Sequence, residues 1–359
     1  MESREVLFGP RALALAPRIE PAGERWRIRV RAGGLTPRDR ETLAGLGLEA
    51  RGELAELACD PADLSELASR SPAAEILFAA LEALRAPRRR PRIMGVLNVT
   101  PDSFSNGGEH LDPDRALQRG LEMAAEGAEL IDVGGESTRP GSDPVSEDEE
   151  LRRVIPLVEA LAPRVAIPIS VDTTKAAVAE RALDAGARMV NDVSAGRADP
   201  RMLPLVAERG CEIVLMHMQG TPRDMQRNPS YGDVCGEVAE FLRQRVAACL
   251  EAGIALERIA IDPGIGFGKT LEHNLELLRS LGELRALSLP ICVALSRKSF
   301  IAAIERADLP ANAPVPAPAE RRGGALAALA MCIGRGAEIL RVHDVRASVQ
   351  AARVAWALA

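Results

Sequence analysis

Aromatic residues are scarce in this chain, with six Phe, two Trp and one Tyr among 359 residues, and positive charge is not in excess, the formal net charge being −6. Nucleic-acid binders need clustered Lys and Arg, and single-strand binders add aromatic platforms, so no nucleic-acid partner is expected. No apolar run approaches the ~18 residues that a membrane-spanning helix needs. Glu2, Arg4, Glu5, Arg11 and Arg18 interrupt the first positions, where a secretory signal would be apolar. A cytoplasmic protein with no membrane partner is the expectation. Cysteines are few and scattered: Cys59, Cys211, Cys235, Cys249, Cys292 and Cys332 include no CxxC pair, which argues against a zinc ribbon or a disulfide framework and predicts reduced thiols in or near the core. The one basic run, Arg85 to Arg92, is expected to be a solvated hinge.

What is abundant is aliphatic. With 47% hydrophobic and 27% charged residues, the composition is that of a globular protein with material for a sizeable core. From Ile93 onward, short apolar runs alternate with segments of helical period. The predicted strands are Ile93–Val99, Glu129–Gly135, Ala166–Val171, Met189–Val193, Glu212–Met218, Arg258–Asp262, Pro290–Leu295 and Glu338–Val342. Each is rich in Ile, Val, Leu or Met, as strands buried on both faces are. Predicted helices include Pro113–Glu126, Glu147–Leu161, Lys175–Ala185, Asp233–Ala252 and Leu271–Leu281. Asp112 before Pro113 is an N-cap signal, Ser146 with Glu149 has capping-box spacing, and Gly127, Gly186, Gly253 and Gly282 are placed to end helices.

Eight β/α units in series predict an α/β fold, a (β/α)8 TIM barrel over residues 91–359. Residues 1–90 show no such unit. Trp26–Val30 alternates like a strand and Ala73–Leu84 is amphipathic, so a small N-terminal α/β extension of unknown role is expected. The loops Gln219–Tyr231 and Asp308–Glu320 are predicted to be mobile or extended.

Barrel enzymes assemble their sites at the C-terminal ends of the strands, and here those ends are loaded with polar residues. In chain order they are Asn98 and Thr100; Glu136, Thr138 and Arg139; Asp172; Asn191 and Asp192; His217; Asp262; Ser296, Arg297, Lys298 and Ser299; and Arg341, His343 and Asp344. Asp172, Asn191 and Asp262 suit the donors of a nitrogen-rich heterocycle, whereas Lys298, Arg341 and His343 suit an anion. Asp192 is as well suited to the fold as to a ligand, Glu136 to a loop ion pair, and His217 to a satisfied position inside the barrel. His110 and His273 are read as surface residues.

Seven segments carry a resemblance. GVLNVTPDSFSNGG (Gly95–Gly108), ELIDVGGESTRPG (Glu129–Gly141), ISVDTTK (Ile169–Lys175), VNDVSAG (Val190–Gly196), IDPGIGFGKT (Ile261–Thr270), SRKSF (Ser296–Phe300) and RVHDV (Arg341–Val345) occur in the order found in the dihydropteroate synthase family, which the chain resembles from Ile93 to Trp356. The resemblance implies a transferase of folate biosynthesis that joins 6-hydroxymethyl-7,8-dihydropterin pyrophosphate to p-aminobenzoate, with Mg²⁺ as cofactor, a homodimer and sensitivity to sulfonamides. It implies that Asp172, Asn191, Asp262 and Lys298 hold the pterin between Met216 and Phe267. Asn98 would bind Mg²⁺, and Arg341 and His343 the pyrophosphate. Thr138 and Arg139 would lie on a closing loop, and Ser299 beside the p-aminobenzoate. Asp172, Asp262, Lys298, Arg341 and His343 are the expected catalytic set.

Three positions depart from the family pattern: Asn106 stands where Asp is commoner, Ala294 where Gly is, and Ala325 where Thr is. Two other functions stay open on the sequence, a non-catalytic pterin-binding paralogue and a methyltetrahydrofolate-dependent methyltransferase domain. The second shares the Asp/Asn ring but has no use for a pyrophosphate site at Lys298 and Arg341.

Overall fold

The computed structural model describes residues 4–23, 25–100, 113–139, 141–307, 310 and 314–359. Asn106, His110, the predicted N-cap Asp112 and part of the Asp308–Glu320 loop lie outside them.

The first strands are β1 (Arg18–Ala22), β2 (Arg25–Arg31), β3 (Glu49–Arg51) and β4 (Leu54–Cys59), an antiparallel sheet in the order β1-β2-β4-β3. Four helices accompany it: α1 (Pro10–Leu15), α2 (Pro37–Ala44), α3 (Pro61–Ala68) and α4 (Pro72–Arg85). All four begin on proline, whose fixed φ and missing N–H suit a first helical position. Asp39 ties α2 to α4: buried, it accepts from Thr36 N at 2.8 Å and from the Ser71 hydroxyl at 2.7 Å.

The next eight strands close a parallel barrel in sequence order: β5 (Arg92–Asn98), β6 (Leu130–Gly134), β7 (Ile169–Asp172), β8 (Met189–Asp192), β9 (Glu212–Met216), β10 (Ile259–Asp262), β11 (Ile291–Ala294) and β12 (Ala337–Val342). Around it run α5 (Pro113–Ala125), α6 (Glu147–Leu161), α7 (Ala176–Asp184), α8 (Met202–Arg209), α9 (Val234–Glu251), α10 (Leu271–Arg279), α11 (Ser299–Ala307), α12 (Arg322–Gly334) and α13 (Val345–Leu358). The TIM barrel predicted from the alternation is therefore present. None of the described helices is long and apolar enough to cross a membrane.

Inside the barrel, Met94, Leu130, Met189, Val214, Ala260, Cys292 and Ile339 form an apolar plug. Side chains on a strand alternate faces with a period of two. Two residues beyond each plug residue, the same inward direction is taken by Val96, Asp132, Asn191, Met216, Asp262, Ala294 and Arg341. Asp172 stands in the same relation to buried Ser170. The plug closes the barrel from below, and the polar ring is the floor of whatever binds above it.

The extension and barrel share one continuous apolar core. Arg18 reaches from β1 to Asp233 at the start of α9 (2.6 Å) and to Glu283 (2.8 Å), and Arg243 of α9 donates to Pro17 O (3.3 Å). The Arg85–Arg92 run is largely exposed, as expected of a solvated segment, and is also anchored. Arg88 donates to Gly334 O (2.7 Å) and to Ala359 O (2.5 Å), and Arg90 pairs with Glu129.

Several local expectations change. Four strands start later than predicted, at Leu130, Ile169, Ile259 and Ile291, and two of these, Ile169 and Ile291, directly follow a proline that cannot donate to the ladder. Ser146 caps α6 by accepting from Glu149 N (3.3 Å), but the reciprocal bond is absent because the Glu149 carboxylate pairs with Arg153 at 2.7 Å. Gly127, Gly186 and Gly253 take positive φ as expected, but Gly282 does not. It lies inside a 3-10 segment, Leu281–Leu287, that follows the earlier end of α10. His273 is not a free surface residue, since it completes a capping box with Thr270. The Gln219–Tyr231 loop is pinned rather than extended: Gln219 exchanges two 3.0 Å bonds with the Ser230 backbone, and the Tyr231 hydroxyl donates to Gly268 O at 2.7 Å. All six cysteines are buried and unpaired.

Candidate active site

A connected polar group occupies the ring above the plug. Arg341 of β12 crosses the barrel to donate through Nε to Asp132 Oδ2 (2.6 Å) and through Nη2 to Asp172 Oδ2 (2.5 Å). Asn191 donates to the same Asp132 oxygen at 3.0 Å. Three of the predicted residues, Asp172, Asn191 and Arg341, are thus joined through a fourth, Asp132, which the sequence reasoning missed. Its signal was present: Asp132 is a carboxylate inside a wholly buried strand, where an unpaired charge would be very costly. Attention to strand ends passed over it, since it stands two residues before the end of β6.

Burial pushes the Asp172 carboxyl up while Arg341 opposes the shift. Burial works against the Arg341 cation too, but Asp132 and Asp172 outweigh it. Asp262, across the ring, is also pushed up by burial, countered by the nearby Lys298 and by the Gly264 N–H donated at 2.6 Å.

Lys298 enters from the β11 loop. Its ammonium donates to Ile265 O and stands 4.2 Å from the centroid of the Phe267 ring, a cation–π distance. Burial brings its pKa down to about 8. Phe267 packs on Val193, Met216, Met218 and Met225, an apolar wall beside the polar ring. Both expected walls, Met216 and Phe267, are therefore in one cluster.

His343 follows β12. Burial first, then Arg297 and Arg341, bring its pKa down to about 3, so the ring is neutral, and its buried Nδ1 has no partner among the described residues. Its backbone N–H donates to the Ser296 hydroxyl at 3.3 Å. Asn98 ends β5, the strand paired with β12. A Cβ on Gly134 would make van der Waals contact there, 3.4 Å from Asn98 Oδ1 and 3.4 Å from Asp172 Cβ.

The remaining predicted residues sit higher. Thr138 and Asp172 help line a cavity of about 300 Å³ above β7 to β9, with Glu136, Val193, Arg197 and Met218. Arg139 is exposed but near enough to His343 to add to its shift. The Thr138–Arg139 loop reaches the next through Gly141 N donating to Pro222 O at 3.0 Å. Ser299 is exposed at the first turn of α11, next to Lys298.

Two residues left ambiguous by the sequence belong to the fold. Asp192 accepts from Ser194 N and Gly196 N, both at 2.7 Å, shaping the loop after β8. His217 is buried at 2.9 Å from Lys269 Nζ. Glu136 takes the loop ion pair, shared with Glu150 through Lys175. Taken together, the ring offers two pushed-up carboxyl groups and an amide on one side, and on the other a lysine, an arginine and a neutral histidine. Such a set matches a flat heterocycle rich in N–H groups joined to an anion.

The family of pterin binding enzymes matches residues 94–343. Over 270 residues the chain is 46% identical to the dihydropteroate synthase of Synechocystis sp., spanning 75% of this chain and 91% of that protein. It is similar to the Xanthomonas albilineans dihydropteroate synthase solved with 4-aminobenzoic acid, at 47% identity and a TM-score of 0.68 over 75% of this chain and 93% of that one. It is also similar to the enzyme from that organism in complex with 7,8-dihydropteroate, at 43% identity and a TM-score of 0.66 over 76% and 95% of the two chains.

Proposed function

This chain belongs to the pterin-binding enzymes, in the dihydropteroate synthase family, and on that premise we propose that it is a transferase joining 6-hydroxymethyl-7,8-dihydropterin pyrophosphate to p-aminobenzoate with release of pyrophosphate. The observation that carries this reading is the ring itself, in which Asp172, Asn191, Asp262, Lys298 and Arg341 converge on one barrel mouth beside the Phe267–Met216 wall. The methyltransferase alternative would leave the cationic half of that ring without a task.

In this reading Asp172, Asn191 and Asp262 accept from the pterin N–H groups, and Lys298 donates to its carbonyl. The bond from the exocyclic methylene carbon to oxygen breaks, and its electron pair leaves with pyrophosphate. The p-aminobenzoate nitrogen supplies the pair for the new C–N bond and afterwards loses a proton. Arg341 and His343 hold the leaving group, and the buried carboxylates stabilise the electron-poor pterin, an electrostatic role in a site closed to water. Thr138 and Arg139 close over the reactants, and Ser299 borders the p-aminobenzoate.

When bound, Mg²⁺ supplies countercharge to the departing pyrophosphate. The described residues include no cluster of three His, Cys, Asp or Glu able to hold a metal by themselves. Asn98 fits a more limited part, as one neutral oxygen at the end of β5, for a cation that takes most of its ligands from water and phosphates.

Residues 91–359 form the catalytic barrel in this reading, and residues 1–90 an appendage outside the chemistry. A homodimer through α12 and α13 is supported by exposed Met331 and Val354, and a cytoplasmic location accords with the substrates. The test is incubation with the dihydropterin pyrophosphate, p-aminobenzoate and Mg²⁺, following dihydropteroate and pyrophosphate, beside Lys298→Ala and a metal-free control. Product that disappears in both controls supports the assignment. Pterin binding without product would favour the non-catalytic paralogue.

A further inference from the structure

Beneath the pocket lies a buried lysine that the chemistry above does not use. The loop from β10 to α10 contains Gly264, Gly266 and Gly268 at φ of +68°, +83° and +58°. Lys269 turns back under this loop, only 3% exposed. Its ammonium donates to His217 Nδ1 (2.9 Å), Phe267 O (3.0 Å) and Gly264 O (3.1 Å). An ammonium has three protons, which these acceptors can use up, with His217 O a longer fourth at 3.5 Å; burial brings the Lys269 pKa down to about 7. His217 can accept because burial, reinforced by the Lys269 charge, brings its pKa down to about 2, and an edge contact with Phe241 at 4.8 Å between centroids fixes its ring.

The two carbonyls that Lys269 holds flank Ile265, whose own carbonyl accepts from Lys298 on the pocket side. The same short segment is therefore gripped by two lysines from opposite sides. Its glycines make it intrinsically pliant, so its shape depends on those grips. We propose that Lys269 is a positioning residue for the pterin pocket, acting through the main chain of Gly264 and Phe267 to hold the Phe267 ring and the Lys298 ammonium in place. This rests on the pterin assignment above. The Tyr231 ring also lies 6.0 Å from Lys269 Nζ and from the His217 ring, but its hydroxyl donates to the far end of the loop, at Gly268 O, so Tyr231→Phe removes that bond and keeps the ring.

Lys269→Met keeps length and apolar packing but removes all three donors. Binding of dihydropterin pyrophosphate is measured by calorimetry for the parent, Lys269→Met, His217→Leu and Tyr231→Phe, with a thermal melt of each. Lys269→Met is expected to weaken pterin binding at least tenfold while changing the KM for p-aminobenzoate less than threefold. His217→Leu weakens pterin binding less but in the same direction, and Tyr231→Phe leaves it within twofold. Parent-like pterin affinity in folded Lys269→Met overturns the proposal, as does an equal loss for both substrates or an equal loss in Tyr231→Phe. If Lys269→Met does not fold, His217→Leu decides, and unchanged affinity there overturns it. A parent that binds no pterin overturns the assignment itself, an outcome distinct from failure confined to Lys269.

Discussion

Replacing Arg341 by Met should destabilise the barrel, because it strands two carboxylates that, among the described residues, pair with this side chain alone, at 2.6 and 2.5 Å. Asp132 is fully buried and Asp172 nearly so. Breaking a buried pair by removing one partner costs ~3–5 kcal/mol. With 359 residues and an unfolding entropy of about 2.1 cal/mol/K per residue, that loss lowers the Tm by about 4–7 °C. The cost should depend on pH in a definite direction. Burial already raises the Asp172 carboxyl, and Arg341 restrains it; without that restraint it rises further above its unfolded value of ~3.9. A carboxyl raised in the folded state binds more protons there than in the unfolded chain, so its destabilisation grows as pH rises from about 4 and is relieved in acid. The difference in Tm between variant and parent should therefore be larger at pH 8 than at pH 5, and adding Asp172→Asn should recover part of it. A variant as stable as the parent, or one destabilised equally at both pH values, would refute the role given to the Asp132–Arg341–Asp172 group.

Other outcomes follow from the same geometry. His217 and His343 are held neutral, with pKa values brought down to about 2 and about 3. Each ring therefore binds fewer protons in the folded state below pH ~6.5 and subtracts up to about 1.4 kcal/mol per pH unit as pH drops from there, while the raised Asp172 and Asp262 carboxyls act in the opposite direction. The Tm difference between His217→Leu and the parent should shift in the variant's favour from pH 7 to pH 5, and an unchanged difference would contradict this. Gly264→Ala would place a Cβ 1.9 Å from His217 O at a φ of +68°, and the left-handed backbone alone costs ~1–2 kcal/mol. Denaturant midpoints should show at least that loss, with weaker pterin binding. Sulfonamides should raise the KM for p-aminobenzoate without lowering the maximal rate, and inhibition that excess p-aminobenzoate does not relieve would count against a shared pocket near Ser299.

Much of the candidate site was legible because barrel enzymes build their sites at strand ends. Asp172, Asn191, Asp262 and Arg341 each end or nearly end an apolar run, and the structure brings them to one mouth. Asp132 was passed over because its importance depends on the inward direction of its side chain rather than on the end of a strand. Lys269 was unremarked because a lysine after a glycine-rich loop reads as a solvated residue until its three acceptors are seen. His217 and Asp192 could not be assigned from sequence, since ring and loop positions use the same residue types.

Periodicity and composition by themselves determined the eight β/α units, the strand that supplies each polar residue and the absence of a disulfide framework. These are local properties, set by which side chains suit a buried strand, a helix face or a cap. Only the tertiary structure decided which acids Arg341 answers, which carbonyls Lys298 and Lys269 each meet, and how the first ninety residues dock through Arg18. Those pairings join residues up to 265 positions apart; they depend on barrel closure and on the twist that aims each side chain, and no local pattern encodes either.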